Sequence, residues 1–227
     1  MRSTQPPGSP RSQRLPRSAR RAQLLESAQA TFAAVGYHAA AMDDIAECAG
    51  VSKPVLYQHF PGKLELYIAL LDQHCASLEA LVSEALLQPN EPKERVMATV
   101  AAYFNFVARE DAAFRMVFES DLTSEPRVRA RLDAVTHNCA ETIAAAIVTD
   151  TEGGLDEDQA LLTAVGLAGM ARVAARQWLA QGAEVPKDEA ARLLGQLAWR
   201  GVTGFPVGTE SAEPADPARD STGDPAS

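Results

Sequence analysis

The sequence is poor in the residues from which disulfide frameworks, metal centres and β-sheets are built. Its three cysteines, Cys48, Cys75 and Cys139, are widely spaced and form no CxxC motif. This spacing indicates neither a disulfide framework nor a zinc site, so we expect three buried free thiols. No segment alternates apolar and polar residues between hairpin turns, whereas alanine, leucine, glutamate and arginine are abundant. The composition therefore predicts an all-α protein.

Long apolar runs and catalytic motifs are also missing. No apolar run approaches the roughly 18 to 20 residues that span a bilayer, and the N-terminus has arginine, proline and serine without an apolar region behind them. We therefore expect a cytoplasmic protein with no membrane partner. Because there is no GxSxG motif, no phosphate-binding loop and no pair of carboxylates in an apolar setting, we expect no enzyme activity, no metal and no cofactor.

The net charge of −9 is distributed unevenly along the chain. Residues 1–63 hold eight basic and four acidic side chains, a net charge of +4, whereas the rest holds 13 basic and 26 acidic side chains, a net charge of −13. A basic face attracts phosphates, and an acidic body disfavours binding in the opposite orientation. The asymmetry favours a nucleic-acid partner for the N-terminal part.

Residues 36–63 read GYHAAAMDDIAECAGVSKPVLYQHFPGK and have the pattern of a helix-turn-helix. Ile45, Ala46 and Ala49 share one face of a short helix. Gly50 ends that helix, because glycine adopts the positive φ of a sharp helix exit. Leu56 closes the small core from a second short helix, which must be held by its neighbours, as a helix that reads the major groove is. The segment predicts binding to double-stranded DNA.

The second short helix carries side chains suited to DNA contacts, although they are also compatible with an ordinary exposed helix. Ser52 is a good N-cap, and Pro54 is tolerated in a first turn. Lys53 and Gln58 can donate to guanine or pair with adenine, and Val55 or Pro54 can cover a thymine methyl group. The side chains better placed for phosphates are Tyr57, His59 and Lys63.

The segment AGVSKPVLYQHFPGKLELY, preceded by DDIA and LLESAQATFAAVGY, resembles the DNA-binding domain of the TetR family of transcriptional regulators over about residues 18–67. The resemblance implies DNA-binding roles for the helix residues just named. It also implies an effector cavity in the C-terminal body. Members of this family form homodimers through their last two long helices, here residues 156–181 and 186–203, which build a four-helix bundle.

One position departs from the pattern of the family. Ala40 and Ala41 stand where a pair of threonines commonly precedes the DDIA-type helix. This replacement removes a phosphate contact and an N-cap, and losing such a cap typically costs about 1 kcal/mol. Asp43 or Asp44 in the first turn can offset part of that loss through the helix dipole.

A narrower similarity extends over most of the chain. The segments RLPRSARRAQLL, GYHAAAMDDIA, SKPVLYQHFPGKLELY, FRMVFESDL and AVGLAGMARVAARQWL are similar to those of the FasR-type fatty-acid-synthesis regulators of actinobacteria. This resemblance implies that a long-chain acyl-CoA effector occupies an elongated apolar tunnel.

Apolar periodicity and turn residues predict the organisation of the chain. A disordered basic arm over residues 1–16 precedes a helix-turn-helix domain over 17–63, with helices over about 18–35, 42–49 and 52–58. A long helix from Lys63 to about Leu87 joins it to a ligand-binding and dimerisation bundle over 64–203. The remaining helices are predicted over 92–108, 112–119, 125–148, 156–181 and 186–203, before a disordered acidic tail over 204–227.

The N-terminal arginines have two interpretations. The set Arg11, Arg14, Arg17, Arg20 and Arg21 belongs either to a solvated tail, as does Arg2, or to an arm that folds onto phosphates or into a minor groove. The candidates for DNA contact from the start of the first helix are Arg17, Arg20 and Arg21.

The aromatic and methionine residues of the body are candidates for an effector site, although any one of them is equally suited to ordinary core packing. Helical bundles build ligand sites between helices, and methionine and phenylalanine make adaptable apolar walls. The candidate ligand-binding residues are Met97, Phe104, Phe106, Phe114, Phe118, Met170 and Trp178.

Two further patterns in the body have alternative readings. The cluster of Arg127, Arg129 and Arg131, with Arg115 nearby, either meets the phosphates of a coenzyme A head group or forms a solvated face. The small residues at positions 164, 168, 171 and 175 permit a close helix approach, within the chain or across a dimer. Because operators are nearly palindromic, we expect the dimer seam.

These expectations describe a homodimeric regulator of lipid (fatty acid) biosynthesis genes that binds an operator and responds to long-chain acyl-CoA. An alternative is a TetR-type repressor of an efflux or catabolic operon with another small-molecule effector, which needs a wide cavity instead of a long narrow one. An enzyme acting on acyl-CoA would turn its ligand over. A DNA-packaging protein without an effector would have no cavity.

Overall fold

The computed structural model describes residues 15–87, 91–109, 122, 124–152 and 154–202. Within these ranges the chain forms eight α-helices and no strand, which confirms the all-α prediction. The helices are α1 (Arg17–Ala39), α2 (Met42–Cys48), α3 (Lys53–His59), α4 (Lys63–Leu87), α5 (Pro92–Arg109), α6 (Pro126–Asp150), α7 (Glu157–Ala180) and α8 (Lys187–Val202).

Some sequence predictions fall outside the described residues. They concern the helix over residues 112–119 with Phe114, Arg115 and Phe118, most of the basic arm, including Arg2, Arg11 and Arg14, and the acidic tail. The other predicted helices agree with the observed ones to within a few residues, and α4 has the predicted bounds. None of the helices in the described ranges is both long enough and apolar enough to cross a membrane.

The chain separates into two compact units, and α4, α5 and α6 each contribute to both. The first unit comprises residues 1–80 and 105–136, and the second comprises residues 81–104 and 137–227. The first unit therefore includes most of α4, whereas the sequence predicts a domain boundary at residue 63. Aromatic packing explains why α4 begins inside this unit: Tyr67 of α4 lies 5.7 Å from Phe32 and 5.2 Å from Tyr37 of α1, measured between ring centroids.

The helix-turn-helix of the first unit is built around a small apolar core. Ile45 of α2 and Leu56 of α3 are completely buried. Gly50 has a φ of +62° between the two helices, as the sequence predicts. The side-chain amide of Gln23 on α1 donates to the Ala49 carbonyl at 2.9 Å. The turn is thus held by α1 as well as by its own backbone.

Two sequence predictions in this region need correction. Ser52 occupies the N-cap position of α3, but its side chain makes no capping hydrogen bond. Its carbonyl oxygen instead accepts from the backbone N–H groups of Val55 at 3.0 Å and Leu56 at 3.3 Å. Cys48 is exposed at the end of α2, because the other side of that helix faces the core, whereas Cys75 and Cys139 are buried as predicted.

Alanines fix α7 within the second unit. The stripe Ala160, Ala164, Ala168, Ala171 and Ala175 is buried against the rest of this unit. The close helix approach predicted for positions 164, 168, 171 and 175 is therefore a contact within the chain. The prediction that these residues form a dimer seam is wrong, because their face is already covered in the single chain.

The ends of α7 are closed by specific hydrogen bonds. Asp156 and Gln159 form a reciprocal capping box at its N-terminus, an arrangement that satisfies two otherwise unpaired backbone donors. At the other end, the indole N–H of Trp178 donates to the Val185 carbonyl at 2.7 Å. The bond from Trp178 to Val185 closes the turn that leads from α7 into α8.

Candidate functional site

The outward face of α3 is the first candidate surface. Lys53, Pro54, Tyr57 and Gln58 are exposed, and Leu56 is the buried residue of this helix. Val55 and His59 are half-buried. The side chains that the sequence predicts as base readers therefore point away from the core. They share a face that a neighbouring macromolecule can reach.

A groove joins this face to the start of α1. It is open, has a volume of about 630 Å³ and is lined by Leu15, Arg17, Arg20, Val55, Gln58 and His59. Two predicted arginines thus lie beside three predicted residues of α3. The guanidinium of Arg21 lies 4.7 Å from the ring centroid of Phe60, so this third arginine is oriented by a cation–π contact.

Lys53 has a partner that sequence reasoning missed. Its ammonium group lies 2.5 Å from the carboxylate of Asp43, and both side chains are more than half exposed. The hydrogen bond that Lys53 donates to Asp43 raises the pKa of Lys53. Asp43 and Asp44 lie in the first turn of α2, whose N-cap residue Ala41 provides no side-chain cap. The ion pair therefore bridges the beginnings of α2 and α3.

Lys63, predicted as a phosphate contact, makes several contacts within the chain. Its ammonium group donates to the carbonyl oxygens of Tyr37 at 2.7 Å, His38 at 3.2 Å and Ala40 at 2.8 Å. It also lies 4.5 Å from the ring centroid of Tyr37. These bonds use all three N–H donors of an ammonium group, and they satisfy carbonyls of the short segment that follows the kink at Gly36 near the end of α1. In this conformation Lys63 is a helix cap, because its donors are already engaged.

Two arginines of the predicted coenzyme A cluster form ion pairs within the first unit. Arg127 on α6 donates to Glu65 on α4 at 3.1 Å and lowers the pKa of Glu65. Arg131 donates to Asp72 at 2.6 Å. Arg129 is exposed on the same helix. These pairs link α4 to α6, so the guanidinium groups of Arg127 and Arg131 already have carboxylate partners.

The described members of the predicted effector set differ in burial and in their packing partners. Phe104 is buried in the second unit, 5.7 Å from Trp178 between ring centroids. Met97 is half-buried, and its sulfur packs so closely on Gly195 that a Cβ there would lie 2.5 Å from it. Phe106 is buried in the first unit, and Met170 is half-buried. In this set Phe104 and Phe106 are buried, whereas Met97, Met170 and Trp178 are half-buried.

A cavity in the second unit is lined by a different set of residues. Its volume is about 30 Å³, which holds no more than a few water molecules. Arg95 and Asp150 form a bidentate ion pair at its wall, and both side chains are about four-fifths buried. The other lining residues are Leu86, Val96, Thr99, Val100, Ile143, Ala146, Ile147, Leu167 and Ala171.

The sequence did not reveal this cavity, because the predicted effector set consists of aromatic residues and methionines and none of its described members lines it. The walls are branched aliphatic residues and alanines, which have the same periodicity as ordinary core. Arg95 follows Lys93 and Glu94 in the sequence, so its charge was not distinguished from that of an exposed helix start.

Exposed apolar side chains form the last candidate surface. Leu162, at 75% exposure, and Leu197, at 61%, are the most exposed leucines of α7 and α8. Single exposed leucines are common, but here several occur on two successive helices. The other members of this set are Val165, Val173 and Leu193.

Two family descriptions match most of the chain. "Bacterial regulatory proteins, tetR family" matches residues 24–70, and "Tetracyclin repressor-like, C-terminal domain" matches residues 92–201. The HTH-type transcriptional activator FasR of Mycolicibacterium smegmatis is 42% identical over 200 residues, which cover 88% of this chain and 90% of that protein.

Solved structures share the fold. A TetR-like transcriptional regulator from Rhodococcus sp. RHA1 is 28% identical, with a TM-score of 0.64 and coverage of 84% of this chain and 100% of that one. FadR of Bacillus subtilis in complex with stearoyl-CoA is 16% identical, with a TM-score of 0.67 and coverage of 78% and 96%. At that identity, the second likeness concerns the fold alone.

The Lys63 cap predicts a loss of stability. Replacing Lys63 with methionine keeps the aliphatic stem but removes three hydrogen bonds to the end of α1. Since bonds from a charged donor are worth about 1.5–3 kcal/mol each before solvent exposure is considered, we expect the free energy of unfolding to fall by about 1–3 kcal/mol in a denaturant titration.

Lys53→Met is the matched control for this measurement. Lys53 is exposed and its ion pair is solvated, so its replacement should change the free energy of unfolding by less than about 0.5 kcal/mol. Equal stability of the two variants would contradict the capping role.

Proposed function

The chain belongs to the TetR family of bacterial transcriptional regulators, and from this premise we propose that it is a homodimeric regulator of fatty-acid biosynthesis genes that responds to long-chain acyl-CoA. Regulators of this family bind operator DNA and are not enzymes. The observation that carries the proposal is the exposed face of α3 beside the arginines of α1. That arrangement provides base-reading groups and phosphate-binding groups on one surface.

The DNA contacts divide by chemistry into those that read bases and those that bind phosphates. Lys53 and Gln58 have hydrogen-bond donors at the end of exposed side chains, which suits the acceptors of the major groove. Arg17 and Arg20 lie in the adjoining groove, where they suit the negatively charged backbone. Specificity should therefore depend on α3, and the salt dependence on the start of α1.

Alanine variants separate these two roles. With an operator selected from random duplexes, Lys53→Ala and Gln58→Ala should each weaken binding by about 1–3 kcal/mol and relax discrimination at one base pair. Arg17→Ala should weaken binding to all sequences alike and flatten the plot of log affinity against log salt by about 0.9. Uniform losses for both α3 variants in titrations with single-base operator variants would contradict the division.

The exposed apolar residues of α7 and α8 are the proposed dimer interface. A single seven-residue reading helix contacts few base pairs, and paired helices on a two-fold axis double the site that is read. The alanine stripe of α7 is buried within the chain, so the opposite side of this helix is available. Leu162, Val165 and Val173 would pack with Leu193 and Leu197 of the second copy.

An aspartate at this face should produce a monomer. Leu197→Asp places a charge where the proposed interface excludes water, which is strongly unfavourable. Light scattering should give half the wild-type mass, and operator affinity should fall. Leu87→Asp makes the same substitution at a leucine that is 81% exposed on α4 and should remain dimeric. A dimeric Leu197→Asp variant would place the interface elsewhere.

The effector proposal is supported by the resemblance in sequence and by the chemistry of the second unit. The fold that this chain shares with FadR of Bacillus subtilis holds stearoyl-CoA in that protein. In this chain the cavity beside Val100 and Ile143 has an apolar lining with one buried ion pair. Because drug-sized sites measure roughly 300–1,000 Å³, an acyl chain must open this cavity as it binds.

The dependence of binding on acyl-chain length tests whether the effector is a long-chain acyl-CoA. Each buried methylene is worth about 0.8 kcal/mol, so sixteen carbons instead of two offer on the order of 10 kcal/mol before the costs of binding. Long-chain acyl-CoA should therefore raise the melting temperature of the protein and change its operator affinity. Acetyl-CoA should do neither at the same concentration.

A pair of alanines tests the location of the effector site. Ala146 lines the cavity and Ala145 is exposed beside it on α6. Ala146→Leu should fill the cavity and abolish the thermal shift caused by long-chain acyl-CoA, with operator binding retained. Ala145→Leu should respond as the wild type does. A normal response of the Ala146 variant would show that the chain binds elsewhere.

A further inference from the structure

We propose that Asp43 is a specificity-determining positioning residue, whose carboxylate holds the Lys53 ammonium group so that it reads a base and does not bind phosphate. The inference rests on the proposed role of α3 in DNA reading and extends it to a residue of the preceding helix. Asp43 would act through Lys53 without itself contacting a base.

The geometry places the two side chains on one outward face. Asp43 lies in the first turn of α2 and Lys53 is the first residue of α3, so the pair crosses the turn that contains Gly50. The ammonium–carboxylate distance is 2.5 Å. One N–H donor of Lys53 is then directed at Asp43, and an ammonium group has two more donors for another acceptor.

Stability does not account for this pair. Both side chains are more than half exposed, and exposed ion pairs contribute only about 0–1 kcal/mol to folding. A carboxylate on a DNA-binding face is also unfavourable for affinity, because it repels phosphates. A gain in sequence selectivity would explain why an aspartate occupies position 43 on this face.

The selectivity follows from charge. A lysine alone is attracted to every phosphate and so raises affinity for all sequences. Paired with Asp43, it presents no net charge to the backbone, but its remaining donors can still bond to the neutral O6 or N7 acceptors of guanine. The pair thus weakens sequence-independent binding and keeps base recognition. The affinity for the operator therefore rises relative to the affinity for competing sites.

Asp44 supplies a matched control. It is exposed in the same first turn of α2, so its charge has the same favourable relation to the helix dipole. The ion pair with Lys53 is made by Asp43. Asp43→Asn and Asp44→Asn therefore change the net charge equally, and only the first removes the partner of Lys53.

The experiment measures affinity for a selected operator and for a random duplex over a range of salt concentrations. Asp43→Asn should bind the random duplex more tightly, steepen the plot of log affinity against log salt by up to about 0.9, and lower the operator-to-random ratio roughly fivefold or more. Asp44→Asn should keep the ratio within about twofold. Equal loss of the ratio in both variants would overturn the proposal, since charge alone would then be the cause.

Two further variants test whether Asp43 acts through Lys53. In a Lys53→Ala background, Asp43→Asn should cause no further loss of the ratio, and the base pair at which discrimination is lost should be the same for both single variants. Asp43→Glu should restore most of the ratio. Additive losses, or losses at different base pairs, would overturn the proposal. A wild-type protein that fails to distinguish operator from random DNA would refute the proposed function itself.

Discussion

Helix α3 is too short to be stable by itself, and the geometry of its exposed face depends on that constraint. A seven-residue helix is far below the length of roughly 12–15 residues at which isolated helices become marginally stable. Its conformation is therefore set by the burial of Leu56 with Ile45 and by the turn at Gly50. Burying one such side chain fully is worth about 1.5–3 kcal/mol, so the exposed face of α3 depends on a few apolar contacts beneath it.

Helices α2 and α3 are also held in place by contacts that connect them, through α1, to the start of α4. Lys63 begins α4 and binds three carbonyls at the end of α1, and α1 in turn holds the α2–α3 turn through Gln23. Glu65 and Asp72 add ion pairs from α4 to α6. A displacement at the start of α4 must therefore carry α1 with it. Helix α4 also continues into the second unit, so an effector bound there has a covalent connection to this assembly.

The periodicity of the sequence predicted those features of the fold that are determined by residues close together in the chain. The bounds of α4, the positive φ of Gly50 and the outward direction of Lys53 and Gln58 all follow from patterns within a few residues. The resemblance to a known family then assigned a function to that face.

What remained unpredictable depends on pairs of residues far apart in the chain. The pairing of Lys53 with Asp43 and the carbonyl cap by Lys63 join different helices, and no local pattern distinguishes them from solvated charges. The alanine stripe of α7 fits a dimer seam and an internal contact equally well in one dimension. Only the three-dimensional packing shows that Ala164 and Ala171 are covered within the chain.

The small volume of the cavity in the second unit limits how an effector can act. A ligand shifts an equilibrium only by its difference in affinity between two conformations, and a cavity of about 30 Å³ offers a long acyl chain almost no affinity in the conformation described. Its binding energy is therefore available for stabilising an open packing. The buried pair of Arg95 and Asp150 shapes that choice, because separating its members leaves charges that must find new partners. An apolar chain that opens the cavity alongside an intact pair avoids that penalty, so the favoured path of entry follows the aliphatic wall.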